Sequence, residues 1–175
     1  MHDAHIRQQS FDDCVLTGGP DCRPTDIWFQ IPHFCGQASY CRIPGHPDAL
    51  ATAKRRITTD YLIVGLTEHF KEFVILLERL LPRFFSGASQ LLDERSTDGW
   101  HLRRTRYKEQ ITNATRQAFL GNPYWKAEQE FYEFVKYEFL SVYNSMIMGT
   151  NNSDNYRPHW YQQRLILTRI RLGAS

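Results

Sequence analysis

The sequence predicts an α/β domain in which helices flank a parallel sheet, and three adjacent stretches carry that expectation. Tyr61-Leu62-Ile63-Val64-Gly65-Leu66 is a continuous apolar run without alternation, the pattern of a strand buried on both faces. A helical pattern precedes it, opened by Pro47-Asp48, with Leu50, Ala53 and Ile57 on one face and Lys54, Arg55 and Arg56 mostly outside. Another follows at once. Thr67-Glu68 offers an N-cap and an acid in the first turn, and Phe70, Phe73, Val74, Leu77, Leu80 and Leu81 then recur at helical spacing. Helix, buried strand and helix is the order of a parallel α/β unit. One strand cannot make a sheet, so its partners are expected from the first part of the chain or from residues outside it.

The other elements follow in chain order. Up to Pro47 the chain is rich in Gly, Pro, Asp and Cys, with one apolar stretch, Ile27-Trp28-Phe29-Gln30-Ile31, and predicts loops and short strands. Pro82 and Gly87 mark where the helix after the apolar run weakens and stops. From Ser86 the chain turns polar and then sharply basic, His101-Leu102-Arg103-Arg104-Thr105-Arg106-Tyr107-Lys108. A second long helix is expected from Asn122-Pro123, with Asn as cap and Pro in the first turn. It runs through Phe131, Phe134, Val135, Phe139, Val142, Tyr143 and Met146 to Gly149, and its aromatics read as core packing rather than a cofactor platform. The tail from Thr150 is polar, then mixed apolar and basic (RLILTRIRL).

Composition narrows the function classes. The 175 residues are 42% hydrophobic and 14% aromatic, enough for one domain with a core and unlike a disordered chain. A net charge of +2 excludes a histone-like polycation, so anion binding must rest on a local cluster, and no nucleic-acid partner is expected. No apolar run approaches the roughly 20 residues that span a bilayer. The first ten residues contain no apolar segment of signal-peptide type.

Cys14, Cys22, Cys35 and Cys41 allow three disulfide connectivities, and a zinc site or four buried thiols are the alternatives. Local pairing would close two short loops and stabilise the fold by roughly 2–3 kcal/mol each. Disulfides imply an oxidising, secretory environment. The sequons Asn113-Ala-Thr115 and Asn151-Asn-Ser153 are compatible with glycosylation at Asn113 and Asn151.

The basic run is the strongest charge feature. Guanidinium groups bind sulfate, phosphate or carboxylate through paired hydrogen bonds, so Arg103, Arg104 and Arg106, with Lys108 and the Thr105 hydroxyl, could hold a polyanion or a nucleotide phosphate. A solvated charged loop is the plain alternative. The chain contains no Walker-type or dinucleotide-binding glycine motif, and no catalytic triad can be argued from its order. His33, expected in a loop beside Cys35, and His101, beside the basic run, are the histidines nearest to candidate chemistry.

Several long segments together resemble the heparan sulfate 2-O-sulfotransferase family, which includes the uronyl 2-O-sulfotransferases. They are FDDCVLTGGPDC, IWFQIPHFCGQASYC, DYLIVGLTEHFKEFVILLERLLPRFFSGASQL, HLRRT and NPYWKAEQEFYEFVKYEF, in the family's order. The resemblance implies the C-terminal part of a single P-loop-NTPase-like sulfotransferase domain, with a family-like stretch over about 11–148 and a divergent tail over 149–175. It implies pairing of Cys14 with Cys22 and Cys35 with Cys41. It implies transfer of a sulfuryl group from PAPS (3′-phosphoadenosine-5′-phosphosulfate) to the 2-hydroxyl of uronic acid residues in heparan sulfate, with no metal. It further implies a trimer on the lumenal side of the Golgi membrane.

Carried over by position, Thr105 and Lys108 match donor-binding residues, and Leu92 stands where the family has a tyrosine beside the cofactor. Arg103 matches an arginine that touches the saccharide, and Arg104 replaces a lysine there. The family's phosphosulfate loop, histidine base and membrane anchor lie upstream of the segment matched by FDDC. The chain is therefore expected to be a fragment without the catalytic base. A non-catalytic secreted module that holds sulfated glycans is the alternative, followed by a structural partner of complete subunits.

Overall fold

The computed structural model describes residues 9–96 and 110–148. These residues form two compact units: residues up to 56 with 110–133, and residues 57–96 with 134–148. Helices, short 3-10 turns and connecting segments make up both, and no strand occurs among the described residues.

The first unit opens with α1 (Phe11–Thr17), capped by Ser10, whose hydroxyl accepts from the Asp13 amide at 3.1 Å. Gly18 ends it at φ 68°, a left-handed conformation that glycine adopts without a Cβ clash. A 3-10 turn (Pro24–Ile27), α2 (Gln30–Cys35) and a second turn (Ser39–Arg42) follow. Disulfides join Cys14 to Cys22 and Cys35 to Cys41, as the resemblance implied. The start of α3 (Pro47–Thr59), α7 (Asn113–Gly121) and the start of α8 (Pro123–Tyr143) complete the unit. Trp28, Ile31, Cys35, Cys41, Ala49, Ala53 and Phe131 form its core, and the Trp28 indole donates to the Cys41 carbonyl at 3.2 Å.

The short strands expected in this part are absent. Pro24 sits in the first turn of a 3-10 helix, and Pro32 has no N–H to give a ladder. The free amides of Phe29, Gln30 and Ile31 at the head of α2 are taken by one carboxylate, that of Glu128 on α8, at 2.9, 3.1 and 3.1 Å.

In the second unit the end of α3 leads into residues 61–66, then a 3-10 turn (Thr67–His69), α4 (Phe70–Leu80), α5 (Pro82–Phe85) and α6 (Ala88–Ser96). The rest of α8 and a π-helical turn (Asn144–Met148) close it. Leu66, Val74, Leu76, Val135, Phe139 and Val142 are buried. Phe139 sits among His69, Phe73 and Tyr143, with ring centroids 6.0, 6.5 and 6.4 Å away.

The expected α/β fold with a parallel sheet is overturned for the described residues. Residues 61–66 are not a strand, and the main chain of Leu62 to Gly65 makes no backbone hydrogen bond. A strand exists only through a neighbour's N–H and C=O groups, which periodicity within one segment cannot supply. The run instead lays Leu62, Ile63 and Val64 around a small cavity of about 10 Å³ shared with Val135, Phe139 and Val142 of α8. Gly65 is required by packing: a Cβ there would come within 2.5 Å of the Phe73 ring.

Among the helices that the periodic pattern did not mark, α6 and α7 start from tertiary or polar caps. Glu78 of α4 accepts from the Gly87 and Ser89 amides and the Ser89 hydroxyl, which satisfies the head of α6 where the sequence turns polar. Thr112 caps α7 by accepting from the Thr115 amide at 3.4 Å. The Asn122 cap of α8 stands as expected, with its side-chain oxygen accepting from Tyr124 at 2.8 Å. Thr67 does not cap α4, which starts three residues later after the 3-10 turn.

Candidate anion-binding site

Arg103, Arg104, Thr105 and Lys108, the residues predicted to meet sulfate or phosphate, lie outside the described residues, as do His101 and Asn151. The structure describes the two helices that flank them in sequence. On one side is α6, which carries Leu92 half-buried. It is fixed on α4 by the Glu78 cap and by an ion pair between Lys71 and Asp93 at 2.7 Å. Hydrogen bonds from Ser89, then Gly87, hold the Glu78 carboxyl below its ordinary range, and Asp93 raises the Lys71 ammonium.

On the other side is the head of α7. The Thr112 amide donates to both oxygens of Asp12 on α1 at 3.1 and 3.2 Å, and its hydroxyl donates to one of them at 3.2 Å. Hydrogen bonds from Thr115 first, and from Thr112, keep the Asp12 carboxyl below the usual carboxylate range. The heads of α6 and α7 are thus each tied down within their own unit.

His33 is exposed on α2 rather than in a loop, with its ring edge-on to Phe34 at 5.6 Å. Among the described residues, no hydrogen bond or ion pair joins it to an acid or a nucleophile. Two clefts open on the first unit. One of about 490 Å³ lies between α1, the Cys14–Cys22 loop and α7, and sets Asp21 and Asp26 against Arg23 alone. The other, about 290 Å³, places Glu128 beside Phe29, Trp125 and Tyr132. Neither lining suits a sulfated or phosphorylated ligand, so among these surfaces no rival to the basic segment emerges. No group of three metal-ligating side chains occurs among the described residues.

Two acids of α8 went unnoticed in the sequence. Glu128 holds three backbone amides, yet burial outweighs those bonds and pushes its carboxyl up. Nothing in KAEQE singles it out. Glu138 is only 8% exposed, one carboxylate oxygen has no hydrogen-bond partner among the described residues, and burial pushes its carboxyl up as well. Its register was a usable signal, since it falls three residues after Val135 and four before Val142, on the apolar stripe.

Comparison with known proteins finds relatives that share one name. Over 135 residues, 77% of this chain, it is 43% identical to heparan sulfate 2-O-sulfotransferase 1 of Xenopus laevis and 42% identical to that of Homo sapiens. The chain is homologous to the heparan sulfate 2-O-sulfotransferases. A third relative of that name, from Caenorhabditis elegans, is 35% identical over 84% of the chain. No family model matches the chain. The chain spans 37% of the length of the Xenopus and human sulfotransferases and 45% of the Caenorhabditis one. Among the described residues, no helix is long and apolar enough to cross a membrane.

Proposed function

We propose that this chain is the C-terminal part of a glycosaminoglycan 2-O-sulfotransferase. The enzyme would move the sulfuryl group of PAPS to the 2-hydroxyl of a uronic acid in heparan sulfate. The observation that carries this reading is the identity of about two residues in five with enzymes of that name over most of the chain.

Arg103 and Arg104 are assigned to the sulfated saccharide, whose anionic groups match a guanidinium fork. Thr105 and Lys108 are assigned to the phosphates of the donor, with Leu92 near its nucleotide. The hydroxyl oxygen of the uronic acid attacks sulfur as the bond from sulfur to the donor's phosphate oxygen breaks, and a base takes the hydroxyl proton. The family's histidine base belongs to a segment upstream of the matched stretch. What this chain supplies is charge neutralisation and positioning. A lumenal Golgi location and a trimer belong to the same proposal.

The test is sulfate transfer from labelled PAPS to desulfated heparan sulfate by the complete protein. Arg103→Ala is expected to raise the KM for the glycan at least tenfold, and Thr105→Ala or Lys108→Ala to raise the KM for PAPS. Unchanged values for both substrates would remove these assignments. The 175-residue chain by itself is expected to show no turnover. Retention on heparin by a complete protein that transfers no sulfate would instead establish the glycan-binding module.

A further inference from the structure

We infer that Asn113 carries an N-linked glycan, attached before α7 docks onto α1. Four observations meet at this residue. It is the first residue of α7, its side chain is exposed, and its carboxamide makes no hydrogen bond among the described residues. It opens the sequon Asn113-Ala-Thr115. The chain holds two disulfides, the mark of the compartment where such glycans are added. Finally, exposed apolar residues border it: Ile111 two residues before, and Leu120 two turns along the same side of α7, about 10 Å away. A sugar there would cover surface that otherwise faces water.

The order of events comes from Thr115. The sequon is recognised through the asparagine amide together with the threonine hydroxyl. In the folded chain Thr115 is fully buried, and its hydroxyl lies 3.3 Å from the Thr112 hydroxyl. The acceptor is thus complete only while this stretch is unfolded. In the transfer, the Asn113 side-chain nitrogen bonds to the anomeric carbon of a lipid-pyrophosphate-linked oligosaccharide. The bond from that carbon to the pyrophosphate oxygen breaks, the lipid pyrophosphate leaves with the electron pair, and the amide loses one proton. After folding, the sugar stays on the solvent side while Thr115 turns to its structural role.

The inference stands on the sequon, its exposure and the disulfides, and does not depend on sulfate transfer. The experiment directs the full chain to the secretory pathway of cultured eukaryotic cells and maps its peptides by mass. Treatment with peptide N-glycosidase should leave aspartate at position 113, and Asn113→Gln should abolish that signal. Thr115→Ser, which keeps a hydroxyl, should retain it. A peptide that contains only unmodified Asn113 overturns the site. For the order, sugar-free chain is offered to microsomal oligosaccharyltransferase with its lipid-linked donor, either folded or reduced and unfolded. Modification of the unfolded chain alone is expected, and equal modification of both overturns the order.

Discussion

The two units are held by different physical means. The first is stitched by polar links between distant residues: Glu128 to the amides at 29–31, Asp12 to Thr112, and Asn122 to the Pro24 carbonyl, alongside two short disulfide loops. The second is held chiefly by an aromatic and aliphatic core centred on Phe139, with polar ties at the heads and flanks of α4 and α6. Helix α8 shows the contrast within one element. Glu128 loses solvent and gains three amides, whereas Glu138 loses solvent and one of its oxygens gains nothing. Burial of an acid is thus a structural link in one place and an uncompensated cost in the other.

The largest expected effect breaks the second unit. Phe139→Ala should cost about 3–5 kcal/mol in urea unfolding, because the ring is fully enclosed. Hydrogen exchange should show the lost protection mainly in 57–96 and 134–148. Replacing Cys35 and Cys41 together by Ser should cost about 2–5 kcal/mol and place the loss in the first unit instead. If both variants relaxed the same amides equally, the distinction between stitched and packed units would fail.

Smaller effects come from the paired acids. Glu128→Ala strands three amides and should cost about 1–3 kcal/mol, whereas Glu128→Gln, which keeps an oxygen acceptor, should cost less. Glu138→Gln should do the reverse and stabilise the chain at neutral pH. The sign follows from linkage. A carboxyl whose folded pKa is raised binds more protons when folded, so the wild-type chain loses stability as pH rises through that pKa. The advantage of Glu138→Gln, read from melting temperature, should therefore grow from pH 4 to pH 7. Asp12 runs the other way. Its lowered pKa gives a contribution present above the ordinary carboxylate range and lost as pH falls through the folded value. Asp12→Asn should erase that acid dependence at the Thr112 and Thr115 amides.

Helices whose signal is local were legible: α3, α4 and α8 announced themselves through Pro47, the Phe70-to-Leu80 spacing and Asn122-Pro123. The expected sheet was not found, because an apolar run such as residues 61–66 says that it is buried but not what pairs with it. Helix α6 was hidden because its cap is Glu78, nine residues before Gly87. For the candidate site, HLRRTRYK stood out by charge, and the disulfide pairing followed from the family's order of segments. Nothing in one strand of text couples Glu128 to Phe29, since that bond depends on how α8 meets α2.

The ties that stitch the first unit have a consequence for biosynthesis. Those made by Glu128, Asp12 and Asn122 each join residues 97–100 positions apart. A ribosome adds about 5–20 residues per second, so the amides at 29–31 wait about 5–20 seconds for the carboxylate that completes them. During that interval the disulfides, each spanning eight residues or fewer, are the covalent structure the nascent segment can already possess. The emerging chain would depend on early oxidation to hold a shape that its hydrogen bonds finish only later.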